Sequence, residues 1–182
     1  MLAPRLFTIA REGSGRLSTM AAPRGGDWLS DEMRGLRFLG VDVLVSLLMA
    51  SEGLELGLED EPSCARDAGL RFDAMPTPDR DTPDPAATRV MVRRLLDDLA
   101  AGRSVAIHCR AGIGRSSLLA AAVLKGEGTP AADAWQLIAA ARGLPVPDTD
   151  AQIEFVSAFS MQADKARTRA GQVSPSWFSP SG

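Results

Sequence analysis

The chain has 182 residues, 45% of them hydrophobic, with 20 Lys and Arg against 23 Asp and Glu, a net charge of −3, two cysteines and one histidine. That length suits one domain with a sizeable core; the acidic balance, without a basic patch, gives no support for nucleic-acid binding, the lone histidine argues against a metal cluster, and two cysteines make no disulfide framework. No segment approaches the ~20 apolar residues of a membrane span, and residues 1–10 lack the sustained apolar core of a secretory signal, so the expectation is a cytoplasmic monomer with no membrane partner, no metal and no cofactor.

In chain order, residues 5–10 and 16–20 read as short strands about a Gly-Ser-Gly turn. Asp27-Trp28-Leu29 opens a helix with Leu29, Met33 and Leu36 on one face, ended by Gly40. Residues 41–48 form a near-continuous apolar run, which suits a strand covered on both faces. Residues 52–69 are mostly helical, broken at Pro62, and carry Cys64. Residues 70–75 form a strand and lead into a proline-rich loop with three carboxylates, Asp79, Asp81 and Asp84. Asp84 is placed to cap a helix over 85–101, with Pro85 in its first turn and Val92, Leu95, Leu96 and Leu99 facing inward. A strand over 104–108 and a helix over 117–125 follow. A helix over 130–142 turns Trp135, Ile138 and Ala139 inward. A last helix over 149–163 sets Gln152, Phe155, Val156 and Phe159 at i, i+3, i+4, i+7. From Lys165 periodicity ends. The expected organisation is therefore one domain over 1–164 and a flexible tail over 165–182 that carries Trp177-Phe178. Strands alternating with helices predict an α/β fold, a single domain with a central, mostly parallel sheet flanked by helices.

The most informative stretch is Cys109-Arg110-Ala111-Gly112-Ile113-Gly114-Arg115-Ser116. A loop between a strand and a helix N-terminus, with its amides turned inward, cradles a phosphate. Gly112 and Gly114 let the backbone curl, and Ala111 adds no bulk. Arg115 offers a planar fork to two phosphate oxygens. Cations and helix N-termini favour the thiolate form of a cysteine, so Cys109 is the expected nucleophile. Ser116 stands where a hydroxyl can bond the sulfur.

His108-Cys109, five residues, Arg115 and Ser116 match the signature of the cysteine-dependent protein tyrosine phosphatases. The chain resembles their small dual-specificity branch, with its kinase-associated phosphatases, from about residue 22 to 159. The resemblance implies a protein tyrosine phosphatase-like fold and hydrolysis of phosphomonoesters through a cysteinyl-phosphate, with Arg110, Ala111, Gly112, Ile113, Gly114 and Arg115 binding the phosphate and His108 bonding loop backbone to order Cys109. In that family an acid aspartate lies about thirty positions before the nucleophile. Asp79 stands there, and Asp81 is the alternative. In the second step Asp79, then a carboxylate, is the expected base toward water; a late segment of the family often carries two glutamines four apart, here the first is Asp148, and Gln152 is the expected water-placing residue. Cys64 either traps oxidised Cys109 or is a bystander. The implied substrate is a phosphorylated protein or a small phosphomonoester. A phosphoinositide, inositol phosphate or nucleotide is the alternative, weakly disfavoured by apolar Ile113 in the loop. A non-catalytic phosphate-binding module would require loss of Cys109, Arg115 or the acid.

Overall fold

The computed structural model describes residues 4–162. The tail over 165–182, with Trp177-Phe178, lies outside the described residues. Five strands, β1 (Phe7–Thr8), β2 (Arg16–Met20), β3 (Val43–Ser46), β4 (Arg71–Ala74) and β5 (Ser104–His108), form one sheet in the order β1-β2-β5-β3-β4. Only β1 is antiparallel to its neighbour; β2, β5, β3 and β4 run parallel. The register levels their carboxyl ends. Met20 and Ser46 both pair with His108, and Ala74 pairs with Ser46. The loops after four strands therefore open on one edge, where ligands of such sheets bind.

Alternation along the central strands explains the apolar run at 41–48. Val43, Val45, Val105 and Ile107 face one core, and Leu44 and Ala106 face the other. Helix α1 (Leu29–Phe38) and helix α3 (Glu61–Asp67) cover the second face through Leu29, Met33, Leu36 and Ala65. Helices α4 (Pro85–Ala100), α5 (Arg115–Gly126), α6 (Ala131–Arg142) and α7 (Asp150–Ala158) cover the first. Helix α5 is buried all round, with Leu118 to Leu124 each at most 1% exposed. Each leucine so buried contributes about 1.5–3 kcal/mol relative to exposure. That burial makes α5 the rigid post on which the loop before it is mounted.

Several elements differ from the sequence expectation. The helix at 52–69 is two helices, α2 (Ala50–Glu55) and α3, and the break falls before Pro62. Gly57, at φ +67°, turns the chain after α2, while Pro62 sits in the first turn of α3, where its missing N–H costs nothing. Helix α5 begins at Arg115, two residues earlier than predicted, and α7 stops at Ala158, where Phe159 turns extended. On α6, Ala134 rather than Ala139 is buried beside Trp135 and Ile138.

Candidate active site

Strand β5 delivers Cys109 to the level edge, where the thiol is 3% exposed with Sγ 3.4 Å from the buried Ser116 Oγ. The loop between them is held from outside. The Ala22 N–H donates to Arg110 O at 3.1 Å, which fastens the loop to the chain leaving β2. Gly112 has φ +69°, and a Cβ there would overlap Met20 O and stand 2.7 Å from Ala21 N. A Cβ on Gly114 would overlap Asp148 Oδ2 and stand 3.1 Å from Gln152 Oε1. Gly112 is thus demanded both by neighbouring backbone and by its left-handed conformation, whereas a side chain at Gly114 would have to displace the tip of Asp148.

Arg115 opens α5 and is 2% exposed. Its Nη1 and Nη2 donate to Glu52 Oε2 and Oε1 at 2.7 and 2.9 Å, a parallel two-bond fork. Nη1 also donates to Thr77 O at 2.9 Å, and Nη2 lies 3.0 Å from Asp79 Oδ1. Its Nε is buried and, among the described residues, unpartnered. Burial pushes this guanidinium down, but Glu52, the Cys109 sulfur and Asp79 outweigh that and hold it above the ordinary arginine value. In return Arg115 holds the Glu52 carboxyl below the usual glutamate range, against burial and aided by the Met49 N–H. Glu52 sits in the first turn of α2, where the same carboxylate accepts from Met49 N at 3.0 Å. One side chain therefore caps a helix and anchors the arginine.

The three carboxylates of the proline-rich loop separate. Arg80 adopts φ +61°, and this turn parts Asp79 from Asp81. Asp79 reaches Arg115 while its side chain stays 65% exposed. Asp81 Oδ1 accepts from Thr82 N at 2.8 Å, and Asp84 Oδ1 accepts from Ala87 N at 2.7 Å, capping α4 as predicted. Gln152 is fully buried under the loop, and both ends of its amide are occupied: Oε1 accepts from Asp148 N at 3.2 Å and Nε2 donates to Asp81 O at 3.2 Å. It fastens the segment before α7 to the carboxylate-bearing loop.

Other expectations are corrected. His108 does not bond the loop; its Nε2 lies 3.0 Å from Glu61 Oε1 of α3, with both side chains buried. The reason is strand alternation, which turns residue 108 to the α1–α3 face. The Arg110 side chain leaves the loop to pair with Glu55 and stands 4.0 Å from Glu52. Cys64 packs 3.6 Å from Ser30 Oγ on the face opposite the core that holds Cys109, which is the bystander's position. Two participants escaped the sequence reading. Glu52 is one. Arg142, at the end of α6, is the other: its Nη2 donates to Ala111 O at 3.2 Å and its guanidinium lies over the Phe7 ring at 3.8 Å. Burial pushes that guanidinium down, and the Cys109 sulfur draws it the opposite way. Among the described residues, no group of three or more His, Cys, Asp or Glu is placed to hold a metal ion, and no helix is long and apolar enough to cross a membrane.

A family model described as "Tc-R-P: Polymorphic toxin system, DSP-PTPase phosphatase" matches residues 11–129. Kinase associated phosphatase, with its catalytic-site cysteine replaced by serine, superposes with a TM-score of 0.76 at 18% identity, covering 94% of this chain and 99% of that one. PTPMT1 in complex with PI(5)P gives 0.65 at 22% identity, covering 78% and 87%. Pseudomonas aeruginosa TpbA in complex with pTyr gives 0.58 at 20% identity, covering 80% of each chain. At these identities the likeness is one of fold. No curated protein sequence matches the chain.

Proposed function

We infer the residues' roles from family and geometry together: the chain belongs to the DSP-PTPase phosphatase family of polymorphic toxin systems, and it is a cysteine-dependent phosphoric monoester hydrolase. The loop amides from Arg110 to Gly114 and the Arg115 guanidinium hold the phosphate. Arg110 contributes through its backbone, because its side chain is engaged with Glu55. The Cys109 thiolate attacks phosphorus, the P–O ester bond breaks, and Asp79 gives its proton to the departing oxygen. A positioned acid of this kind accelerates such a step by ~10²–10⁴-fold. Water then attacks the cysteinyl-phosphate and gives a proton to Asp79, now a carboxylate; the S–P bond breaks, its electron pair returns to Cys109 as thiolate, and the Ser116 hydroxyl donates to that sulfur. Gln152 keeps the acid loop and the segment before α7 in register.

The observation that carries this reading is the convergence on one buried guanidinium. Arg115 begins the helix whose second residue contacts Cys109 Sγ, and it contacts Asp79 directly. The test is Cys109→Ser. Hydrolysis of an aryl phosphate should vanish while inorganic phosphate still binds; surviving turnover would remove Cys109 as nucleophile.

For the substrate, we propose a phosphate on a protein side chain. Within the loop Arg110 is paired with Glu55, Ile113 is apolar, and Asp79 lies against Arg115, so apart from Arg115 no side chain of the loop itself offers a free cation to a second phosphate. Phosphopeptides should outrun phosphoinositides and nucleotides in a panel. The reverse order would overturn this assignment and leave the chemistry intact.

A further inference from the structure

Arg142 is held beside the loop at a cost to stability. It closes α6, and its Nη2 donates to Ala111 O at 3.2 Å. Its Nε and Nη1 are buried and, among the described residues, unpartnered, and no ion pair forms to its guanidinium there. Donors buried without a partner are unfavourable. The Phe7 ring of β1, whose centroid lies 3.8 Å from the guanidinium carbon, offsets part of that penalty. The residue therefore does more in this position than brace two elements together. The guanidinium lines a cavity with Phe7, Met20, Ala21 and Ala22, on the β1–β2 side of the loop, whereas Arg115 reaches Glu52 and Thr77 on the β3–β4 side. The loop is gripped from both flanks.

The use of that grip lies in the peptide unit it touches. Across a planar trans peptide the C=O and the N–H that follows point in opposite directions. With Ala111 O bonded to Arg142 on the β1–β2 flank, the Gly112 N–H points to the other, phosphate side. The preceding peptide is set in the same way: the Ala22 N–H holds Arg110 O at 3.1 Å, which turns the Ala111 N–H inward. Gly112 takes φ +69°, the left-handed step by which successive amides converge on one anion. We propose that Arg142 is a positioning residue for the reaction: seated on Phe7, it orients the Ala111–Gly112 peptide so that the Gly112 N–H bonds the phosphate. It touches no reacting atom and acts through that peptide alone. The Gly112 N–H meets the phosphate on binding and holds its oxygens as charge builds on them during attack by Cys109.

The inference rests on the cysteinyl-phosphate reading with loop amides as donors, and the experiment separates the two. Arg142→Met keeps the length of the side chain and removes its charge and its donors. Replacing an unsatisfied buried charge by an apolar chain of similar size is often neutral or stabilising, so the thermal midpoint should stay at or above native. Loss of a whole oxyanion donor costs about 10²–10³-fold in kcat, and a peptide merely released to rotate should cost less, about 5–50-fold on an aryl phosphate. The inhibition constant of inorganic phosphate, which reads folded enzyme alone, should rise about 3–10-fold, part of the worth of one hydrogen bond to a charged group. In ¹⁵N-labelled protein, phosphate should shift the Gly112 amide resonance of the native chain and shift it less in Arg142→Met. Arg142→Lys, a cation without the planar face that seats on Phe7, should recover only part of the rate. Phe7→Leu, which removes the ring and keeps Arg142, should move the same readouts in the same direction by a smaller factor. Native phosphate inhibition with a native Gly112 response in Arg142→Met, or a loss of rate that only tracks a lowered thermal midpoint, would overturn the positioning role. Full rate in Arg142→Lys would overturn it as well, because charge alone would then account for the effect. Turnover surviving Cys109→Ser would instead overturn the underlying chemistry.

Discussion

Glu52→Gln is the sharpest probe of how the site is assembled. The substitution keeps the side chain's shape and one oxygen, but it removes the charge and turns an NH₂ group toward a guanidinium. Glu52 makes two charge-assisted bonds to an arginine that is 2% exposed, while its own side chain is 15% exposed. Removing one partner of a fully buried ion pair costs about 3–5 kcal/mol, and a hydrogen bond to a charged group contributes about 1.5–3 kcal/mol. Residual solvent contact at Glu52 places the loss in the lower range, about 2–3 kcal/mol. Part appears in stability and part in orientation of Arg115 toward phosphate, so kcat/KM on an aryl phosphate should fall about 10–100-fold, equivalent to about 1.4–2.8 kcal/mol. The stability part has a pH signature. Arg115 lowers the Glu52 pKa in the folded chain, so the unfolded chain binds a proton first as pH falls. The native advantage over Glu52→Gln is therefore complete above the ordinary glutamate value of about 4.3 and declines as pH drops through the lowered folded value. Urea unfolding of both proteins from pH 7 to pH 3 measures it. A stability difference that is flat across the acid range, or kcat/KM within twofold of native, would refute the anchoring role.

Asp79→Ala should slow substrates with poor, high-pKa leaving groups far more than activated aryl phosphates, because only the former need the proton; equal losses in a leaving-group series would remove Asp79 as acid. Gly112→Ala should lower the thermal midpoint and weaken vanadate binding, since its φ of +69° costs an L-residue about 1–2 kcal/mol before the overlap with Met20 O is counted. A native melting curve with native affinity would show that the loop relaxes around the methyl group.

The sequence reading succeeded where a local signal was sufficient. Strands β2 and β5 were predicted to the residue, because each is bounded by turn residues, and Asp84 was legible as a cap because Pro85 follows it. The loop was legible because its residues are contiguous. Glu52 was not, since it lies 63 positions before Arg115 and belongs to no motif. Only the parallel register of β3 with β5, which levels Ser46 with His108, brings the chain after β3 beside the loop. An acidic residue just past the end of a strand that neighbours β5 was the available signal, but it needed the strand order first. Arg142 was hidden for a similar reason: its role depends on α6 packing beside β1, which places it over Phe7 and against Ala111 O. The placement of His108 was misjudged because strand parity was not applied to it. Residue 108 shares a face with Ala106, which turns the ring toward Glu61 rather than the loop.

Charge placement around the loop argues for recognition by geometry over recognition by net field. Its two guanidiniums are already neutralised, Arg110 by Glu55 and Arg115 by Glu52, and Asp79 adds a further negative charge at 3.0 Å from Arg115. A phosphate therefore enters without a surplus of positive charge, gains Arg115 Nη2 in competition with Asp79, and relies on amides fixed by the Gly112 and Gly114 contacts and by the N-terminal turn of α5. Amides converging on a tetrahedral centre discriminate by shape and reach. On the proposed substrate reading a polyphosphorylated body would find Arg110 already paired and Ile113 apolar in the loop, with Arg142, against Ala111 O, the loop-contacting guanidinium that has no ion pair among the described residues. The proposed preference for a single phosphate therefore predicts that a phosphopeptide is hydrolysed faster than an inositol polyphosphate carrying the same monoester, and equal rates would count against it.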